Sequence, residues 1–279
     1  MRISNESMQS SLAKADERRF YYFCHDISLA GENYKLRKID FFVKDASNPT
    51  DDFVCVKEYR DSFAIIYVCT EDCQLVSEGI DFLLGSDNIC EYLLVTDCES
   101  VLRMPCITDR FEVADEDEES NPTYSIGSPS ELINIPAGDG VAISLFTDDM
   151  KPLLKDELSK DDFESWIFNK SDCFKDTRIY ILRADKKLAG YLRAECGYKN
   201  YYDIGWLQVL PSMRNRGYAS MLVSYFANDC KNNNLIPNYS FAVCPESERV
   251  AEKCGFSRDE MYRYRRPLTL KRNILQKEI

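Results

Sequence analysis

Apolar and polar positions divide the chain into two successive runs of short elements. In the first run, residues 34–44 and 52–58 read as strands, with a turn at Ser47-Asn48-Pro49-Thr50 between them. Residues 62–69 are continuously apolar and predict a buried strand. Residues 72–84 predict a helix, because Leu75, Ile80, Leu83 and Leu84 fall roughly in phase and Gly85 stops it. A short strand at 92–96 follows.

The second run opens with a strand at 141–146 and helices at 151–157 and 160–169, the latter with Phe163, Trp166 and Ile167 on one face. Strands at 177–184 and 188–195 flank Asp185-Lys186-Lys187 and predict a hairpin. Residues 203–209 form the central strand of the run. The helix expected over 220–228 places Met221, Leu222, Tyr225 and Phe226 at spacings of three and four. A strand at 240–243, a helix at 246–253 and a late strand at 261–267 complete the order, with Tyr262 and Tyr264 alternating with Arg263 and Arg265. Between the runs, Ala114-Asp115-Glu116-Asp117-Glu118-Glu119-Ser120-Asn121-Pro122 cannot bury itself, and Gly127, Ser128 and Pro129 follow it. This reads as an exposed connection and sets the domain boundary near residue 125, giving domains 1–125 and 126–279.

Composition narrows the function classes. A chain of 279 residues suits two modest domains with their own cores. Its net charge of −12 argues against a nucleic-acid partner and an anionic membrane surface, and leaves an amine-bearing substrate open. No run approaches the roughly 20 apolar residues of a membrane span, and residues 1–20 lack the apolar core of a signal peptide. A cytoplasmic location is expected. Twelve cysteines occur with one histidine, His25, and without a Cys-x-x-Cys pair. They read as reduced, mostly apolar-packed thiols, and no metal site is expected.

The stretch that carries chemistry is Asp203-Ile204-Gly205-Trp206-Leu207-Gln208-Val209-Leu210-Pro211-Ser212-Met213-Arg214-Asn215-Arg216-Gly217-Tyr218-Ala219. A strand stops at a proline, a basic turn follows, and a helix begins. Such a turn aims unpaired backbone N–H groups and the positive end of the helix dipole at one point, where phosphate oxygens bind. Gly217 permits close approach, and Arg214 and Arg216 add charge.

At these residues the chain resembles the GNAT N-acetyltransferases. Arg214-Asn215-Arg216-Gly217-Tyr218-Ala219 fits their Arg/Gln-x-x-Gly-x-Gly/Ala signature, and Glu252-Lys253-Cys254-Gly255-Phe256 looks like their closing motif. The resemblance implies an α/β fold of the α+β type: a mixed central sheet flanked by helices, preceded by a smaller N-terminal α/β domain. By element order alone, that first domain is similar to a degenerate half-copy found in two-domain members. The resemblance further implies acetyl-CoA as co-substrate, held by Leu207, Gln208, Val209, Arg214, Asn215, Arg216, Gly217, Tyr218 and Ala219. The central strand is expected to splay from the strand after the helix, separating Trp206 to Val209 from Phe241 to Val243. The acceptor is expected to be the amine of a small molecule or peptide, and the resemblance leaves room for a homodimer.

Asp203 stands where several members carry a catalytic glutamate, and Glu195, at the end of the preceding strand, is the alternative base. A solvated strand-end carboxylate is an equal reading of Asp203. The chain departs from the family pattern at the general acid. Ala251 replaces the usual tyrosine and Cys244 the usual asparagine, while Tyr218, Tyr225, Tyr262 and Tyr264 are substitutes without distinction. Ser247 is expected to cap its helix. These residues leave three classes open: an active N-acetyltransferase, a catalytically weak CoA-binding or sensing module, and a structural relative. The intact turn at 214–219 disfavours the last.

Overall fold

The computed structural model describes residues 1–12, 14–15, 23–24, 27, 36–60, 62–86, 89–96, 98–113, 120–125, 132–158, 177–197, 199–239, 242, 244–265 and 268–272. The chain divides into two compact units, Met1–Ser120 with Arg265–Ile279, and Asn121–Tyr264. The division falls close to residue 125, but the end of the chain goes with the first unit.

The first unit contains β1 (Arg2–Ile3), α1 (Asn5–Leu12), β2 (Leu36–Val43), β3 (Phe53–Tyr59), β4 (Phe63–Cys69), α2 (Cys73–Leu84), β5 (Glu91–Thr96), α3 (Glu99–Leu102), α4 (Pro105–Thr108) and β6 (Phe111–Val113). The second contains β7 (Ser120–Ser125), β8 (Val141–Leu145), α5 (Lys151–Glu157), β9 (Arg178–Ala184), β10 (Lys187–Cys196), β11 (Tyr201–Val209), α6 (Tyr218–Asn232), β12 (Ile236–Tyr239), α7 (Pro245–Lys253) and β13 (Ser257–Arg265). A last strand, β14 (Leu268–Arg272), returns to the first sheet.

The two sheets share one topology. The first runs β1-β2-β3-β4-β5-β14-β6 and the second, read from its other edge, β8-β9-β10-β11-β12-β7-β13. In each, four antiparallel strands lead through a crossover helix (α2 or α6) to a parallel strand (β5 or β12). An antiparallel strand then comes from a distant part of the chain. Were each run complete in itself, β7 would follow β6 and β14 would follow β13; the two trade places.

Local chemistry explains most of these elements. The β9–β10 hairpin turns on Asp185 (φ 50°) and Lys186 (φ 67°), both left-handed as a two-residue turn of type I′ requires. Helix α6 is longer than its apolar spacing predicts, and its buried face is Tyr218, Leu222, Val223, Phe226, Ala227 and Cys230. These pack on Tyr180, Leu182, Leu192, Ala194, Tyr202 and Ile204 of the sheet. Full burial of each large apolar side chain contributes about 1.5–3 kcal/mol. Tyr180 and Arg178 of β9 also donate to Asp229 Oδ2 of α6, at 2.7 and 2.8 Å.

The structure corrects three expectations. Part of the exposed connection, Ser120–Ser125, is strand β7 and pairs with β12. Its backbone ladder is long-range and leaves no hydrophobic alternation in the sequence. The strand expected at 240–243 is β12, at Ile236–Tyr239. Ser247 lies inside α7; the N-cap is Cys244, which makes no side-chain capping bond. The helix expected at 160–169, the acidic residues 114–119, His25, Phe241 and Val243 lie outside the described residues. The described cysteines are free thiols, and no described cluster of three or more His, Cys, Asp or Glu could hold a metal. No described helix is long and apolar enough to cross a membrane.

Two measurements check this account. Leu270 of β14 is 3 % exposed in the core of the first unit, between β5 and β6. Leu270→Ala should cost that unit about 2–5 kcal/mol, seen as faster amide exchange in β5. Unchanged exchange would remove β14 from the sheet. Lys57 of β3 is 1 % exposed, with Nζ 4.2 Å from the Tyr67 ring centre, and burial pushes its pKa down to about 7. The unfolded value is about 10.4, so between pH 7 and 10 the unfolded chain binds more protons. Relative to Lys57→Met, wild-type stability should therefore rise with pH across that window, by at most about 1.4 kcal/mol per pH unit. Parallel denaturation curves at pH 7 and 9 would refute it.

Candidate active site

Strand β11 has two unlike edges. On one it pairs with β10 throughout, from Cys196↔Tyr202 to Gly190↔Val209. The register shifts between Arg193 and Ala194, which face Trp206 and Ile204, so Gly205 is the extra residue of a bulge. On the other edge β11 pairs in parallel with β12 only at Tyr201↔Ile236, Tyr202↔Pro237 and Asp203↔Asn238. Beyond Asp203, residues 204–209 have no β12 partner among the described residues. Among the described residues this leaves a slot along the backbone of β11, and Leu207, Gln208 and Val209 lie along it. Their side chains take no part in the slot's backbone chemistry. Leu207 and Val209 pack toward the α6 core, whereas Gln208 Oε1 accepts bonds from Tyr191 Oη (3.0 Å) and Trp206 Nε1 (3.2 Å).

At the end of β11, a 3₁₀ turn at Pro211–Met213 carries the chain into α6. Asn215 (φ 63°) and Gly217 (φ 79°) are both left-handed, and Gly217 is the helix N-cap with no capping side chain. Among the described residues, the amides of 215–220 donate to no backbone carbonyl. Arg214, Asn215, Arg216 and Gly217 are exposed, whereas Tyr218 is buried and Ala219 half-buried. Arg214 Nε folds back onto the Val209 carbonyl at 3.3 Å. A Cβ on Gly217 would meet nothing within 4 Å; the requirement for glycine is its φ.

The matching place in the first unit is closed. Asp72 caps α2, its Oδ1 accepting from Gln74 N (3.0 Å) and Leu75 N (3.2 Å), while Lys44 Nζ lies 3.0 Å from Oδ2. The Lys44 hydrogen bond, then the Leu75 amide, holds the Asp72 carboxyl below the usual range. A carboxylate thus fills the spot where an anion would sit. Strands β4 and β5 pair without interruption from Phe63↔Glu91 to Val68↔Thr96, so no slot opens there.

Polar side chains gather where the slot begins. Glu195 and Asp203 are directly opposite each other across β10 and β11, and Asp203 is opposite Asn238 of β12. Asn238 Nδ2 donates to Asp203 Oδ1 at 2.5 Å. Arg193, 1 % exposed, sets its guanidinium 2.5 Å from Glu195 Oε1. That carboxylate lies over Gly205, where a Cβ would come within 2.9 Å of Oε1. Burial raises the Glu195 pKa above its ordinary value; Arg193 pulls it down and Asp203 pushes it up.

Asp203 and the expected cofactor turn therefore lie on one strand–turn–helix unit, and Glu195 faces Asp203 from the neighbouring β10. Of the candidate acids, Tyr218 is in the core, Tyr225 is exposed on α6, and the side chains of Tyr262 and Tyr264 lie outside the described residues. Ala251 is wholly buried in the core, so it supplies no donor. Sequence reasoning missed Arg193, Asn238 and the Gly205 bulge. An arginine inside the apolar run 188–194, two residues from a glutamate on the same strand face, is the legible signal for the first. Asn238 had none, because its partner is set by strand pairing.

Residues 144–256 match the acetyltransferase (GNAT) family, and the C-terminal half of the chain is a GNAT domain. No curated protein matches the chain by sequence. Among solved structures, a Drosophila protein is similar over 97 % of both chains at TM-score 0.59 and 13 % identity. A tandem GNAT protein from the clavulanic acid biosynthesis pathway is similar over 96 % of this chain and 94 % of its own, at TM-score 0.57 and 10 % identity. A GCN5-related N-acetyltransferase from Sphaerobacter thermophilus covers 85 % of this chain and 81 % of its own, at TM-score 0.51 and 14 % identity. The two sheets thus form a tandem GNAT-like architecture.

The left-handed Gly217 makes a stability prediction. Gly217→Ala should cost about 1–2 kcal/mol, and Gly217→Asn less, because asparagine enters that region more easily. Equal denaturation midpoints for Gly217→Ala and wild type would show that the turn does not need a positive φ.

Proposed function

We propose that the second unit transfers an acetyl group from acetyl-CoA to the amine of a small molecule or peptide. The observation that carries this is the β11 edge beyond Asp203↔Asn238, where 204–209 have no β12 partner among the described residues, on the strand that feeds the uncapped helix. Amides at 215–220 and the α6 dipole would hold the diphosphate, and Arg216 adds an exposed cation. Backbone groups of Leu207, Gln208 and Val209 would pair with the pantetheine amides, and an N–H near Leu207 would take the charge developing on the thioester oxygen. Glu195 is the better placed base, since it lies over the bulge beside the slot, where burial raises its pKa above the ordinary value. It removes the ammonium proton, the neutral nitrogen attacks the thioester carbon, the C–S bond breaks, and the second proton lost by that nitrogen passes through water to the departing CoA thiolate. Asp203, fixed by Asn238, contributes negative charge that favours a cationic acceptor.

The buried Ala251 favours a second reading, a CoA-binding module with little turnover. Thiol release from acetyl-CoA with a panel of amines tests the first reading. Calorimetric binding of one acetyl-CoA per chain without thiol release would support the second, and no binding at millimolar ligand would sink both. Two bound molecules would contradict the closed state of the first unit.

Two variants sharpen the test. Ala219→Asp puts a carboxylate in the first turn of α6, which favours the helix but opposes a diphosphate. Acetyl-CoA affinity should fall more than about tenfold, or about 1.4 kcal/mol, with the melting temperature kept. Glu195→Gln should lower kcat/KM by about 10²–10⁴-fold at neutral pH. Glu195 works when ionised, so wild-type activity should fall as pH drops through its raised pKa, above the ordinary value of about 4.3. That acid limb should vanish in Glu195→Gln, and its persistence would move the role to Asp203 or water.

A further inference from the structure

Three strands contribute to one polar row at the mouth of the slot: Arg193 and Glu195 from β10, Asp203 from β11 and Asn238 from β12. Register and core membership put this row on the sheet face opposite α6, with Tyr191, Leu154 and Leu158. Two carboxylates facing each other across a strand pair repel, and burial adds to the cost of ionising both. The only neighbouring cation on this face among the described residues is Arg193. Arg178 of β9 faces α6 and pairs with Asp229, and Arg183 is held by Glu157 of α5 at the far end of β9. Asn238 brings a donor to Asp203 but no charge.

Arg193 is thus a cation buried in a strand interior, with its guanidinium against the carboxylate that covers Gly205. Glycine at 205 leaves the space that this carboxylate fills. We propose that Arg193 is a positioning residue, holding Glu195 ionised and directed at the Gly205 bulge, so that Glu195 rather than Asp203 takes the proton of the acceptor. The inference rests on the acetyl-transfer reading, but its electrostatic part stands without turnover.

The experiment follows the Glu195 carboxyl carbon by NMR against pH in protein labelled with [5-¹³C]glutamate, the signal being assigned by its absence in Glu195→Gln. Arg193→Met should raise the Glu195 pKa by about one unit or more, since a neighbouring opposite charge commonly lowers a carboxyl by that amount. The acid limb of kcat/KM should move up equally. Arg193→Lys keeps the charge but not the planar fork, so Glu195 should titrate close to its wild-type value while kcat falls about tenfold or more at unchanged KM. If Arg193→Met does not fold, Arg193→Lys carries the test, and unchanged kcat in it overturns the positioning role. An unmoved Glu195 signal in folded Arg193→Met overturns it as well. A moved signal in a protein that releases no CoA from any amine overturns the transfer reading instead, leaving Arg193 as an electrostatic partner of Glu195.

Discussion

The parallel ladder between β11 and β12 covers three residue pairs among the described residues, and the proposed acetyl transfer depends on the strand edge beyond them. A backbone N–H or C=O inside a sheet is normally satisfied by the next strand. Beyond Asp203, residues 204–209 keep β10 on one side and have no described β12 partner on the other. The Gly205 bulge lies just beyond the last described pair and increases the local twist of β11. Asn238 ties that last pair from the side, donating to the Asp203 carboxylate.

The first unit shows the same topology with these features reversed. Its parallel strands are paired over six positions, and its crossover helix is capped by the carboxylate of Asp72. A helix N-terminus attracts negative charge from whatever source is nearest. In α2 that charge is built into the chain and neutralised by Lys44; in α6 the N-cap is the left-handed Gly217, which has no side chain to cap the amides. One fold can thus be sealed or open according to a few residues at one turn, and the fold by itself does not determine function.

Much of this was legible along the chain. The apolar run of β4, the phase of α2 and the Asp185-Lys186 hairpin all depend on residues close together in the chain, so local pattern reveals them. The strand–turn–helix run ending in Gly217 was legible for the same reason, because the turn and the helix start are made by consecutive residues. Asp203 and Glu195 stood out as carboxylates at strand ends. Hydrophobic spacing misjudged α6 at both ends, because its buried face includes Tyr218 and Cys230, which its sheet partners cover.

What sequence alone determined is the order of the longer elements, the GNAT-like turn and the pair of candidate bases, since each is written in residues a few positions apart. Tertiary structure decided which carboxylate is buried beside a cation, where the parallel ladder ends, and that β7 and β14 trade sheets. Those outcomes are set by register and partner choice between strands distant in the chain. A backbone ladder carries no side-chain signature of its partner, so strands as short as β7 and β14 look like connections until their neighbours are in place.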